Sequence, residues 1–156
     1  MPNIERLKKY NKIHMVGIGG VSMSGIAEIL VNFGFQVTGS NNVETETTKK
    51  LEKAGIKISI GHNEENITNQ DVVVYSAAIK QDNIELVTAK SKNIPIIERA
   101  DFLGELTRCY KDTITISGTH GKSTTTSMVS LCFLEALKDP SIQVGADIKQ
   151  LNGNYK

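Results

Sequence analysis

A chain of 156 residues, 39% of them hydrophobic and 22% charged, can close one core and part of a second, and its composition is not that of a disordered protein. The 18 Lys and Arg against 17 Asp and Glu leave a formal charge of +1, with the two signs interspersed, so neither a nucleic-acid-binding face nor a membrane-surface helix is expected. No apolar run approaches membrane-spanning length, and Met1-Pro-Asn-Ile-Glu-Arg has no secretion-signal core; a cytoplasmic protein with no membrane partner is the expectation. Cys109 and Cys132 lack metal-ligand spacing and read as reduced structural thiols, and His14, His62 and His120 include no H-x-x-x-H pair.

Residues 2–10 form a polar lead-in with room for one helical turn. Ile13-His14-Met15-Val16 is a short run that can be buried on both faces, and His14 within it reads as a core histidine. Gly17-Ile-Gly19-Gly20-Val21-Ser22 follows, then Ile26, Ala27, Ile29, Leu30 and Phe33 at helical spacing, with Gly34 as the stop. Phe35 to Ser40 is the next strand. Thr47 to Ala54 reads as a helix closed by Gly55, Ile56 to Ile60 as an alternating strand, and Gly61-His62-Asn63 as a turn. Val72-Val-Val-Tyr75 is the apolar, β-branched run expected inside a parallel sheet, with Ser76-Ala77-Ala78-Ile79 as its exit loop. A helix over 84–92, a strand over 95–97 and a helix over 98–108 complete the series. The alternation predicts an α/β fold: an open, Rossmann-like parallel sheet with helices on both faces.

Residues 109–112 read as a boundary, giving a first domain over 1–110 and a second unit over 111–156. That unit is predicted to open with a strand over Thr113–Ser117, continue through Gly118-Thr119-His120-Gly121-Lys122-Ser123-Thr124 into a helix reaching about Leu137, break at Asp139-Pro140, and resume with a strand over 142–144 before a polar tail. A unit of that size cannot bury its own sheet, so it reads as the start of an incomplete second domain.

Two loops carry chemistry. In parallel α/β sheets ligands bind outside the carboxyl ends of the strands. The Gly17–Ser22 loop, Ser40-Asn41, Gly61-His62 and Ser76–Ile79 all fall there. Glycines between strand and helix let the backbone approach an anion at the positive end of the helix dipole. The third glycine of a dinucleotide fingerprint is replaced by Ser22, and Asn41 stands where an acidic residue would hold an NAD ribose, so NAD is disfavoured and a different diphosphate ligand fits. The second loop, Gly118-x-x-Gly121-Lys122-Ser123, departs from the general phosphate-loop pattern in having Ile116 at the first glycine position. Lys122 supplies a mobile point charge for phosphate, and Ser123 a hydroxyl suited to phosphate-bound Mg²⁺. Arg99 could reach an anion, though a solvated helix arginine is the plainer reading.

His14 to Ala27, Val37-Thr-Gly-Ser40, Gly61-His62, Ser76-Ala-Ala-Ile79 and Ser117-Gly-Thr-His-Gly-Lys-Ser-Thr-Thr-Thr126, taken in order, resemble the N-terminal part of the Mur ligases, in particular the branch that joins L-alanine to UDP-N-acetylmuramic acid in peptidoglycan precursor synthesis. The resemblance covers nearly the whole chain. It implies a Rossmann-like domain for the UDP-sugar followed by an ATPase domain. It also implies a reaction in which ATP and Mg²⁺ activate the sugar's carboxylate as an acyl phosphate for attack by the amine. By the resemblance, Gly17, Gly19, Gly20, Val21 and Ser22 would hold the diphosphate region, and Ser40, Asn41, His62, Ser76, Ala77, Ala78 and Ile79 the rest of the UDP-sugar. Gly118, Thr119, His120 (through its backbone), Gly121, Lys122, Ser123 and Thr124 would hold ATP, with Lys122 stabilising phosphate charge and Ser123 on the metal. The family usually has Asp at the position of Asn41. Its acidic metal-binding segment would follow the tail, so the resemblance implies a piece that binds UDP-sugar without catalysing, the L-alanine site lying elsewhere. The alternatives are a ligase that recycles a whole tripeptide onto the same sugar, a non-catalytic nucleotide-binding module, and an NAD-dependent oxidoreductase.

Overall fold

The computed structural model describes residues 3–148 and 153–156, in two compact units, Met1–Lys111 and Asp112–Lys156. The first holds five parallel strands, β1 (Lys12–Val16), β2 (Gln36–Asn41), β3 (Lys57–Ile60), β4 (Val72–Tyr75) and β5 (Ile96–Glu98), in the order β3-β2-β1-β4-β5. Helices α1 (Val21–Asn32), α2 (Glu46–Lys53), α3 (Ile84–Ser91) and α4 (Arg99–Thr107) connect or follow them. This is the predicted Rossmann-like α/β fold.

The central strands read as continuous apolar runs because both of their faces are covered. Ile13, Met15, Val16, Val72, Val73 and Val74 are all fully buried. The parallel register pairs His14 with Thr38 and Val73, and Val16 with Ser40 and Tyr75. Those residues share one face, on which Leu86 and Ala89 of α3 pack against Val16 and Val73. Ile13, Met15, Val37 and Gly39 lie on the other. The strand order reverses between β1 and β4, and that switch point is where the fold opens a crevice at the carboxyl ends.

Local chemistry ends the helices where the sequence places its stops. Gly34 donates to the Val31 carbonyl and Phe35 to Leu30, the paired bonds of a Schellman turn with glycine at φ +88°. Gly55 and Asn93 close α2 and α3 in the same way. At the other ends, Thr45 and Thr48 form a reciprocal cap on α2, and the Asn83 side chain accepts from the Glu85 amide to start α3. Among the described residues, the polar lead-in contains a single 3-10 turn, Ile4–Arg6.

In the second unit α5 (Lys122–Glu135) follows Gly121, whose φ is +78°. β6 (Gln143–Ile148) and β7 (Gly153–Tyr155) pair antiparallel, and Ile142, Val144 and Leu134 form a small apolar cluster. The predicted strand over Thr113–Ser117 is a correction: residues 113–118 have no regular structure, and Ile114 is exposed. A strand exists through its ladder, and no described strand runs beside this segment. The polar tail contains the end of β6 and all of β7; its residues 149–152 lie outside the described residues. Cys132 is exposed on α5, whereas Cys109 is buried as expected. α5 ends with Leu137 in the left-handed region at φ 54° and 91% exposed, a conformation that costs a side-chain-bearing residue about 1–2 kcal/mol. Leu137→Gly is therefore expected to raise the stability of this unit by about 1 kcal/mol, measured as the thermal loss of its helical signal; an unchanged or lower midpoint would contradict the strain.

Candidate functional site

Four predicted segments meet at the carboxyl edge of the first unit. The Gly17–Ser22 loop turns on its own hydrogen bonds. The Gly17 and Ile18 amides both donate to the Ser40 carbonyl, at 2.9 and 3.0 Å, and Gly20 donates to Gly17 at 3.2 Å. The Gly19 amide donates to Asn41 Oδ1 at 3.2 Å, while Asn41 Nδ2 donates to the Val43 carbonyl at 2.8 Å. Asn41 thus braces the loop. The glycines supply shape: Gly17 has φ +79° and its missing Cβ leaves room for Ile79, while a Cβ on Gly19 would stand 2.8 Å from the Asn41 amide. In this structure the amides of Gly17, Gly19 and Gly20 serve the turn itself, and the first turn of α1, from Val21, carries the dipole's positive end. Arg99 heads α4 at the same edge and donates from Nη1 to Ser22 Oγ at 3.3 Å. A residue that read as a solvated arginine is half-buried against the loop. Gly17→Ala is expected to cost about 1–2 kcal/mol through φ alone, read as a shift in the urea midpoint; a shift under about 0.5 kcal/mol would mean the loop can relax.

The Ser76–Ile79 loop folds over Gly17 through Ile79 and Ser76, and is closed by Ile79 N–H donating to the Ser76 carbonyl at 2.9 Å. Beside it opens a cleft of about 270 Å³ lined by Asn42, His62, Ala78, Ile79, Lys80, Asp82 and Asn83. Of the predicted contacts, His62, Ala78 and Ile79 line it. Ser40 is fully buried beneath the edge, not presented to it. Asn42, Lys80, Asp82 and Asn83 were not singled out in the sequence.

Under the cleft lies a polar cluster that sequence reasoning missed. Glu85, in the first turn of α3, has no exposed surface. Ser40 Oγ donates to its Oε2 at 2.6 Å, His62 Nδ1 stands 3.1 Å from the same oxygen, and Asn66 Nδ2 donates to Oε1 at 2.5 Å. His14 Nε2 lies 3.8 Å from Oε1, and its Nδ1 pairs with Thr38 Oγ1 at 2.8 Å, so His14 is the core histidine expected. Burial pushes the Glu85 carboxyl up, but His14, Ser40 and Asn66 outweigh it and hold it down at about 2 from an ordinary 4.5. The cluster is thus organised around a carboxylate. The one available cue was position: Glu85 shares the inward face of α3 with Leu86 and Ala89.

In the second unit, Lys122 Nζ donates to the Gly118 carbonyl and, at 3.1 Å, to that of Thr119. The ammonium is folded onto carbonyls of its own loop. Thr119, His120, Gly121, Lys122 and Thr124 are exposed and Ser123 is half-buried. The first-turn amides of α5, those of Lys122, Ser123 and Thr124, are ones a helix cannot pair internally. This donor set fits a polyphosphate. Among the described residues no group of three His, Cys, Asp or Glu could hold a metal. The Ser123 hydroxyl can give Mg²⁺ one oxygen beside phosphate oxygens.

The profile of the Mur ligase family, catalytic domain, matches residues 12–111. The chain belongs to the Mur ligase family. Among Mur ligases, it is 53% identical over 148 residues to the UDP-N-acetylmuramate–L-alanine ligase of Acetivibrio thermocellus, covering 95% of this chain and 32% of that protein. It is 47% identical to that of Clostridium perfringens over 99% of this chain and 34% of that one. It therefore spans about a third of the length of these curated relatives. The crystal structure of UDP-N-acetylmuramate-alanine ligase from Thermotoga maritima superposes with a TM-score of 0.87 at 38% identity, over 93% of this chain and 34% of that one. The UDP-N-acetylmuramate:L-alanyl-gamma-D-glutamyl-meso-diaminopimelate ligase of Neisseria meningitides follows at 0.86 and 26%, over 93% and 46%. No helix among the described residues is long and apolar enough to cross a membrane.

Proposed function

We propose that this chain supplies the UDP-sugar site and the ATP loop of an ATP-dependent ligase that joins L-alanine to the carboxylate of UDP-N-acetylmuramic acid in the cytoplasm, with a domain boundary near residue 110. What carries the reading is the cleft at the carboxyl edge, walled by His62, Ala78 and Ile79, with Ile79 also packed on Gly17 of the adjoining Gly17–Ser22 loop, in a chain 47–53% identical to alanine ligases. The diphosphate would lie at the start of α1, where the helix dipole and the Arg99 guanidinium both favour negative charge. Val21 and Ser22 would contact it, the glycines would shape its seat, and the nucleoside would occupy the cleft beside His62, Ala78 and Ile79. Ser40 and Asn41 would act from behind, through His62 and Gly19.

In the second unit Gly118, Thr119, His120, Gly121, Lys122, Ser123 and Thr124 would cradle the ATP phosphates. Lys122 would leave its loop carbonyls for phosphate oxygens, and Ser123 would give Mg²⁺ one oxygen. Magnesium would neutralise charge on the phosphates when bound. In the whole enzyme the sugar's carboxylate takes the γ-phosphoryl group of ATP, releasing ADP. The amine of L-alanine then displaces phosphate to form the amide. The tripeptide-adding ligase shares the nucleotide sugar and the fold, and the higher identity to alanine ligases favours L-alanine.

Calorimetric titration of this chain with UDP-N-acetylmuramic acid, NAD and ATP tests the reading. Heat from the UDP-sugar, none from NAD and weaker heat from ATP is the expected pattern. Binding of NAD with no response to the UDP-sugar would overturn it.

A further inference from the structure

The carboxylate of Glu85 can only accept hydrogen bonds. Ser40 has a single hydroxyl proton, and at 2.6 Å it is given to Glu85 Oε2. His62 Nδ1 lies 3.1 Å from that oxygen and 3.0 Å from Ser40 Oγ, so both atoms facing Nδ1 offer lone pairs. The proton that satisfies this arrangement must sit on Nδ1. A neutral imidazole carrying Nδ1–H has a bare Nε2, which is an acceptor. In this structure His62 Nε2 is sealed from solvent and has no hydrogen-bond partner, while the ring forms part of the cleft wall. A buried polar atom without a partner is unfavourable, and a ligand that supplies one relieves it.

We propose that Glu85 is a positioning residue of the cleft: it holds His62 in the Nδ1–H form, so that the ligand group pairing with His62 is a hydrogen-bond donor of the nucleoside, a ribose hydroxyl or the uracil imide N–H, and not a phosphate oxygen. The inference rests on the reading that the cleft takes the nucleoside of a UDP-sugar. It separates the site into two chemistries. The anionic part of the ligand belongs to α1 and Arg99, and the His62 wall reads the neutral part. Through its contact with Nδ1, Glu85 sets which nitrogen the ring offers to the ligand.

The test is nitrogen NMR of the chain labelled at histidine, with His62 assigned from its missing signals in His62→Phe. UMP is titrated alongside 3-methyl-UMP, which lacks the imide proton, and 2′-deoxy- and 3′-deoxy-UMP, which each lack a hydroxyl. The free chain should show a protonated Nδ1 and a bare Nε2 on His62, and UMP should shift Nε2. One of the three analogues should bind roughly 5–10-fold more weakly than UMP, and that difference should vanish in His62→Phe. Glu85→Gln should mix the two ring forms and weaken UMP binding to a similar degree. A proton on Nε2 in the free chain would overturn the proposal, as would three analogues that all bind like UMP, even where UMP itself binds. If Glu85→Gln does not fold, the wild-type tautomer and the analogue series still decide. No binding of UMP at all would remove the nucleoside reading and this inference with it.

Discussion

Glu85→Ala should cost the first unit about 2–6 kcal/mol, at about 1–3 kcal/mol for each of two hydrogen-bond donors left without their acceptor. The carboxylate has no exposed surface and takes hydrogen bonds from Ser40 and Asn66 as well as facing His62. Alanine would leave the buried Ser40 hydroxyl and the half-buried Asn66 amide without this acceptor, and would leave a void in place of the side chain. The pH dependence has a definite sign. A carboxyl whose folded value is about 2 against an ordinary 4.5 contributes stability that is present above 4.5 and is lost as pH falls toward 2. Urea midpoints of the wild type should therefore decline across that window, and the decline should be shallower in Glu85→Gln. The other carboxyls, including Glu28 and Asp71, titrate in both proteins and cancel in the difference. Parallel declines would show that Glu85 is not held as a carboxylate.

Gly39→Ala should cost about 2–3 kcal/mol, at the upper end for overpacking a close-packed core. The added Cβ would stand 2.6 Å from Ile18 Cδ1, 2.8 Å from its Cβ and 2.9 Å from its Cγ2. Contact with the root of that side chain, and not only its tip, means that Ile18 cannot escape by changing rotamer. Ile18 is fully buried and belongs to the glycine loop, whose Gly17 and Ile18 amides hang from the carbonyl of Ser40. The strain therefore passes into the candidate phosphate seat, and UDP-N-acetylmuramic acid affinity should fall roughly tenfold, the equivalent of about 1.4 kcal/mol. Gly34→Ala is the control: nothing lies within 4 Å of its Cβ position, so it should cost only the left-handed φ, about 1–2 kcal/mol, and leave binding unchanged. If Gly39→Ala bound the UDP-sugar normally, loop and strand would be uncoupled.

The sheet was legible because parallel strands buried on both faces spell themselves out as apolar runs, as Val72–Tyr75 does, and because Gly34 and Gly55 end helices by a local mechanism. The segment 113–118 misled because Thr113-Ile-Thr-Ile-Ser117 has the composition of a strand, while strand formation depends on a neighbour that composition does not reveal. Of the β6–β7 hairpin only the start was legible, over 142–144, because Gly153–Tyr155 is short, polar and without an apolar pattern. The glycine loop and the Ser76–Ile79 turn were readable from order and residue type. Glu85 was not: an acid in the first turn of a helix is the ordinary surface residue that favours the dipole, and only the tertiary fold carries it under Ser40 and His62. Arg99 was obscured for the same reason, since its contact with Ser22 spans 77 positions of sequence.

The central claim is that the carboxyl edge of the first unit seats a nucleotide sugar. Mapping the backbone amide shifts of this chain on titration with UDP-N-acetylmuramic acid tests it most directly. The largest changes should fall on Gly17–Ser22, His62, Ser76–Ile79 and the Arg99 region. Changes centred instead on the groove at the amino ends of the strands, lined by Ile4, Tyr10 and Phe33, with Gly17–Ser22 unmoved, would contradict it.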